Sequence, residues 1–279
     1  MSINFKPVMK KIFLLIILTS SVTFCQDFQG KASYMSKINV DTKWMDNPRF
    51  ASRKGYMEEM LKKNTEKNYV LEFSSTESFY TEKEKIDVGE SGNFNWMATY
   101  IGDNIGKLYK NLQEKVTINE TEMMGKFFLI TDPIENMKWQ MTGETKKIGQ
   151  YTCYKATYEK EIQERVFSFG SESQNQNNIK TKTVEVAAWF TPEIPVSTGP
   201  SWYQGLPGLI LEVSDDNTTI LCTKIVMNPT DKSKIKKPKR GKVINNVDFI
   251  ALQDQKRQEA REMWQKMRRS GGGRPPSRN

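Results

Sequence analysis

Short runs of β-branched and aromatic residues, each closed by a polar, glycine- or asparagine-bearing turn, recur along most of this chain and constrain its fold more than any other feature. They cover residues 31–40, 68–75, 78–83, 107–111, 114–119, 126–130, 139–142, 151–160, 164–169, 184–190, 209–213 and 218–227. Many short strands at similar spacing predict a mainly β protein, an antiparallel sheet forming an open or half barrel, with a sandwich as the other arrangement. Two segments depart from this pattern. Residues 50–67 place Met57, Met60 and Leu61 on one side and Glu58, Glu59, Lys62 and Lys63 on the other, which predicts an N-terminal helix. Methionines at helical spacing read as core packing ahead of a copper(I) site. Residues 249–269 repeat Phe249, Leu252, Ala260, Met263 and Met267 at helical intervals behind Asp248, a suitable N-cap, and predict a helical extension.

Between the runs 184–190 and 209–213 lies a long segment carrying Pro192, Pro195, Pro200 and Pro207 with Gly199, Gly205 and Gly208. Its prolines fix φ and bias the preceding residues toward extended conformations, so residues 191–196 should be stiff and nearly polyproline-like. Leu206-Pro207-Gly208-Leu209 fits a type II turn, with Gly208 supplying the positive φ. Long ordered loops tend to carry function, and Trp202 and Tyr203 stand at the tip of this one. They read either as a contact surface or as rings closing one end of the core. Trp189, Glu193, Trp202, Tyr203, Leu206 and Pro207 are the candidate ligand- or partner-binding residues, with Gly205 and Gly208 as structural turns.

The hexapeptide Gly205-Leu206-Pro207-Gly208-Leu209-Ile210 resembles the signature of the GLPGLI family. The resemblance extends to Trp189-Phe190-Thr191-Pro192-Glu193-Ile194-Pro195, to Lys138-Trp139, and to the run from Lys147 to Ala156 (KIGQYTCYKA). It implies an exported protein of the type found in Bacteroidetes-like bacteria. It implies no catalytic residue, since none is established for that family.

Residues 1–25 carry Lys6, Lys10 and Lys11 ahead of a short apolar run and end in Thr23-Phe24-Cys25, the pattern of a secretory signal peptide cleaved after Cys25. A lipoprotein reading of Cys25 would need a small residue where Phe24 stands. Export would place the mature protein in the periplasm or outside the cell, with association to the outer membrane as a further expectation. In an oxidising compartment Cys153 and Cys222 form a possible disulfide, with two buried free thiols as the alternative.

The expected organisation is a signal peptide over 1–25, an antiparallel β domain over 26–230, a basic linker over 231–247, an amphipathic helix over 248–269 and a disordered tail over 270–279. Residues 170–183 read as a polar surface insertion. Charge follows this division. Of the net +9, residues from Pro229 onward contribute 15 Lys and Arg against 5 Asp and Glu, while residues 1–228 are nearly balanced at 27 against 28. Seven of the twelve residues 231–242 are basic, and the run reads as a solvated linker able to meet anionic lipid or lipopolysaccharide through residues 232–242. Nucleic acid is not an expected partner of an exported protein.

The 279 residues include no histidine, which removes His-dependent triads, the usual neutral-pH base and the commonest metal ligand. No phosphate loop, nucleophile elbow or metal spacing is present, and neither cofactor nor metal is expected. The ranking is therefore a non-catalytic carrier of a hydrophobic or extended ligand held under the long loop, then an accessory subunit docking on an outer-membrane transporter, then a His-free hydrolase using Glu193, with Glu212 as its second carboxylate.

Overall fold

The computed structural model describes residues 28–40, 42–83, 106–165, 179–230 and 235–269. The expected signal peptide with Cys25, residues 170–178 of the polar insertion, the start of the basic run at 231–234 and the tail at 270–279 lie outside the described residues.

Among the described residues, alternation of side chains along extended backbone builds one sheet of twelve strands. In chain order these are β1 (Gln29–Ile38), β2 (Glu66–Ser74), β3 (Glu77–Glu82), β4 (Lys107–Asn111), β5 (Val116–Met123), β6 (Lys126–Pro133), β7 (Gln140–Ile148), β8 (Tyr151–Arg165), β9 (Ile179–Thr191), β10 (Leu209–Asp215), β11 (Thr218–Met227) and β12 (Lys242–Ile244). Their spatial order is β12-β6-β5-β4-β3-β2-β1-β11-β10-β9-β8-β7. Every pair is antiparallel except β12 with β6, and β12 and β7 are the two ends, so the sheet is open. One hairpin closes where the chain accepts positive φ: Met124 and Gly125 join β5 to β6 at +52° and +76°, the signature of a two-residue primed turn.

Residues 50–67 divide among three elements. A 3-10 turn spans Pro48–Arg53, helix α1 runs Lys54–Thr65, and Glu66 and Lys67 already belong to β2. Helix α2 runs Asn246–Arg269. Its cap is Asn245 in place of the expected Asp248: the Asn245 side-chain oxygen accepts the Asp248 N–H at 2.8 Å, and Asp248 accepts the Asn245 side-chain N–H at 2.8 Å in return. Both residue types suit the position, and the reciprocal pair fixes the start three residues earlier.

Directly opposed residues share a face, so the register separates two layers. Leu108 opposes Asn119, which opposes Ile130; Tyr109 opposes Ile118, which opposes Thr131. Leu108 belongs to the main core with Tyr34, Leu71, Tyr80, Val186, Ala188, Leu209 and Val213, and this is the inner face. Tyr109, Ile118 and Leu129 form a small cluster on the outer face. Phe128 and Ile130 continue the inner face at β6 and receive Phe249 of α2, whose ring meets Phe128 at a 5.4 Å centroid separation.

The basic segment corrects one expectation. Residues 235–241 are not a free linker: Ile235 packs on the outer-face cluster and Arg240 lies 3.5 Å from the Phe127 ring centroid. The chain then adds β12 beside β6 and turns onto the inner face as α2, clasping that edge from both sides. At the other end β7 is protected by charge and irregularity, with Lys146 and Lys147 near its end and a register shift between Met141 and Thr145 around Gly143 at φ +80°.

Candidate functional site

The segment 192–208 leaves β9 and returns as β10. It does not lie over the protein as a lid. Ile194, Val196, Leu206 and Tyr203 are members of the main core. Three-residue turns fold it inward: the Val196 N–H reaches the Ile194 carbonyl and the Gly208 N–H reaches the Leu206 carbonyl, each at 2.8 Å. Pro195 and Pro207 are the central residues, and their fixed φ suits an inverse γ-turn. The expected polyproline-like stretch is thus bent at Pro195.

Gly208 is not among the positive-φ residues, so the type II turn is absent. Its requirement is space. A Cβ there would stand 2.1 Å from the Thr191 carbonyl oxygen, a contact backbone cannot relieve cheaply. Gly205 carries the positive φ, at +92°, with Trp139 the nearest side chain to its open side at 3.7 Å.

Four side chains, from β1, β3, β4 and the residue just ahead of β7, hold the loop and its exit into β10, from points far apart in sequence. Tyr34 donates its hydroxyl to the Ile210 carbonyl at 2.7 Å, Ser78 and Thr198 share a hydroxyl hydrogen bond at 2.9 Å, and Trp139 donates its indole N–H to the Gln204 carbonyl at 2.8 Å. The fourth is Lys110, with no exposed surface, whose ammonium donates to the carbonyls of Gly199, Ser201 and Tyr203 at 3.0, 2.9 and 3.1 Å. Three N–H donors meet three acceptors, which satisfies the buried group. Burial still pushes its pKa down to about 7.

The paired aromatics at the tip separate. Tyr203 is 7% exposed and donates its hydroxyl to the Asp215 carboxylate, which also receives Lys160. Trp202 is 37% exposed and remains at the surface. Trp189 lies across the sheet from Tyr203's layer: it opposes Glu212 and Lys155, and the Lys146 ammonium sits 4.2 Å from its ring centroid while donating to both Glu212 oxygens at 2.8 Å. Glu193 accepts the Thr152 backbone N–H at 2.9 Å. Each carboxylate of the suggested hydrolytic pair is therefore tied to a partner of its own. Among the described residues no three His, Cys, Asp or Glu side chains are grouped to hold a metal.

Cys153 and Cys222 are free and buried. Their strands, β8 and β11, have β9 and β10 between them, three interstrand steps of about 4.8 Å each. Both cysteines belong to the main core, and the Cys153 thiol adds to the upward shift of Cys222, so the two thiols face one core without being bonded. Burial pushes both thiols up to about 11.

Sequence reasoning passed over Lys110, Trp139, Lys146 and Asp215. Trp139 entered only as part of the family resemblance, and the one signal at Lys110 was its alternation with Leu108, which puts the two on one face of β4. A separate groove of about 760 Å³ lies at the β12 edge, between β12 and α2, lined by Thr131, Lys242, Ile244, Asp248, Leu252 and Gln255. No helix among the described residues is long and apolar enough to cross a membrane.

Fold and site together define a mainly β protein whose open sheet is filled on its inner face by its own loop. The family model that matches is described as a protein of unknown function (Porph_ging), over residues 139–212, which spans the loop and the strands on either side of it. No curated protein matches the chain. Two solved structures show a partial likeness, PNGF-II in space group C2 at TM-score 0.46 and in P21 at 0.45, both at 11% identity. In each case the likeness covers 80% of this chain and 32% of the other, so the chain spans about a third of the length of the solved proteins it matches.

Proposed function

We propose that this is an exported, non-catalytic cell-envelope protein of GLPGLI type that works as a docking protein for another envelope protein, with Trp202 in the contact. The observation that carries this reading is the depth of the loop. Ile194, Val196 and Leu206 occupy the inner face where a carried ligand would have to lie, while Trp202 alone of the loop aromatics keeps open surface. A large aromatic at a rigid, anchored tip loses little entropy on binding and buries much area. Catalysis by Glu193 has less support, since a hydrolase needs a carboxyl free to exchange a proton and Glu193 is spent on a backbone N–H.

The test is native mass spectrometry of the protein purified from its own envelope in mild detergent after a high-salt wash. The expected result is a chain without small-molecule adduct, accompanied by a protein partner that Trp202→Ala releases. A retained lipid or other ligand that survives the wash would return the carrier reading to first place.

A further inference from the structure

We propose that the β12 edge is a docking surface for an anionic lipid bilayer, with residues 235–242 as its charged element. This goes beyond the protein-docking reading and rests on different residues. Lys236, Lys237, Lys239, Arg240 and Lys242 put five cations into eight positions, and no acidic residue occurs between Ile235 and Val247. The cations are presented from fixed backbone. Ile235 is seated among Tyr109, Ile118 and Leu129, Arg240 is stacked on Phe127, and Gly241, at φ +128°, lies so close to Phe127 that a Cβ would stand 2.6 Å from its carbonyl carbon. The neighbouring strands offset part of this charge: Glu122 of β5 opposes Phe127, the ring on which Arg240 stacks. Lys237 reaches Glu114 only at 3.8 Å, and Glu120 is taken by Lys107.

Charge alone would suit any polyanion. The lipid surface is favoured because exposed apolar side chains flank the cations along the same edge: Met124 on the β5–β6 hairpin, Val243 on β12, and, across the edge, Val247 and Ile250 in the first two turns of α2. Such side chains gain by entering the interfacial region of a bilayer, where cations meet headgroup phosphates. They have no counterpart in a nucleic-acid backbone, and aromatic side chains for base stacking are missing from 235–247.

The test is co-sedimentation of the chain beginning at Gln26 with vesicles of equal parts phosphatidylcholine and phosphatidylglycerol, against phosphatidylcholine alone. Binding is expected only to the anionic vesicles and should weaken as salt rises. K236Q/K237Q/K239Q removes three exposed ammonium groups at about fivefold each, so partitioning should fall on the order of 100-fold with the melting temperature unchanged. V243S/V247S should weaken binding at high salt more than at low salt. Equal binding to neutral vesicles, no effect of the triple variant, or tighter binding to duplex DNA than to anionic vesicles would each overturn the proposal.

Discussion

The Lys110 ammonium lies 2.9 Å from the Ser201 carbonyl, tying β4 to a loop 91 residues further along the chain. With the carbonyls of Gly199 and Tyr203 it makes the tip of the loop part of the folded core.

Lys110→Met keeps the length of the side chain and leaves three carbonyls without a donor. Buried acceptors cost about 1–3 kcal/mol each when orphaned, so the variant should lose about 3 kcal/mol or more in urea unfolding.

Lys110 also gives the protein a pH dependence. Its folded value of about 7 lies below that of an unfolded lysine near 10.4, so between these values the unfolded chain binds a proton that the folded chain does not. Stability should rise with pH through this window and be flat, in this respect, below about 7. Urea midpoints across pH 7 to 10 would show the slope in the wild type and its absence in Lys110→Met; equal slopes would exclude Lys110 as its source.

The two loop glycines should fail differently. Gly208→Ala drives a methyl group into the Thr191 carbonyl and should cost about 2 kcal/mol or more, whereas Gly205→Ala makes only ordinary contact with the Trp139 indole and carries the strain of its positive φ, about 1 kcal/mol. Thermal unfolding of the two variants side by side distinguishes contact from conformation.

Tyr203 and Trp202 should part in the same way. Tyr203→Phe removes the hydroxyl on Asp215 and should cost about 1 kcal/mol, while Trp202→Ala should stay within about 0.5 kcal/mol of wild type. An equal loss from both would mean that Trp202 is structural and would withdraw it from the docking surface.

Cys153 and Cys222 should each be alkylated as free thiols in denaturant without prior reduction. In the folded protein both should react slowly, because burial raises their pKa to about 11 and little thiolate forms at neutral pH. A peptide pair linked through these residues in mass spectrometry would contradict the free thiols of the structure.

What the residues disclosed beforehand depended on how local the cause was. β4 and β11 have the bounds read from composition, and the buried alternation of Ala32, Tyr34 and Ser36 in β1 is visible as a pattern of period two. β12 was hidden because Lys242-Val243-Ile244 closes a basic run, and its strand character comes from pairing with Phe128 to Ile130, more than a hundred positions away. The depth of the loop was hidden for the same reason. Proline and glycine signal that the chain turns, but whether it turns outward or inward was set by Tyr34, Ser78, Lys110 and Trp139. A lysine in a strand reads as a solvent-facing residue until three carbonyls are found around it.

The central position of β1 governs when this sheet can be completed. Tyr34 pairs with Tyr69 on one side and with Cys222 on the other, so the strand made first has one edge bare until β11 has followed. Closing a contact across that separation carries the loop entropy of about two thirds of the polypeptide, which slows folding and leaves an unpaired strand exposed meanwhile. A chain emerging from its N-terminus would therefore assemble β2 to β6 early and remain half-built, and a holding chaperone would find its target at the uncovered side of β1.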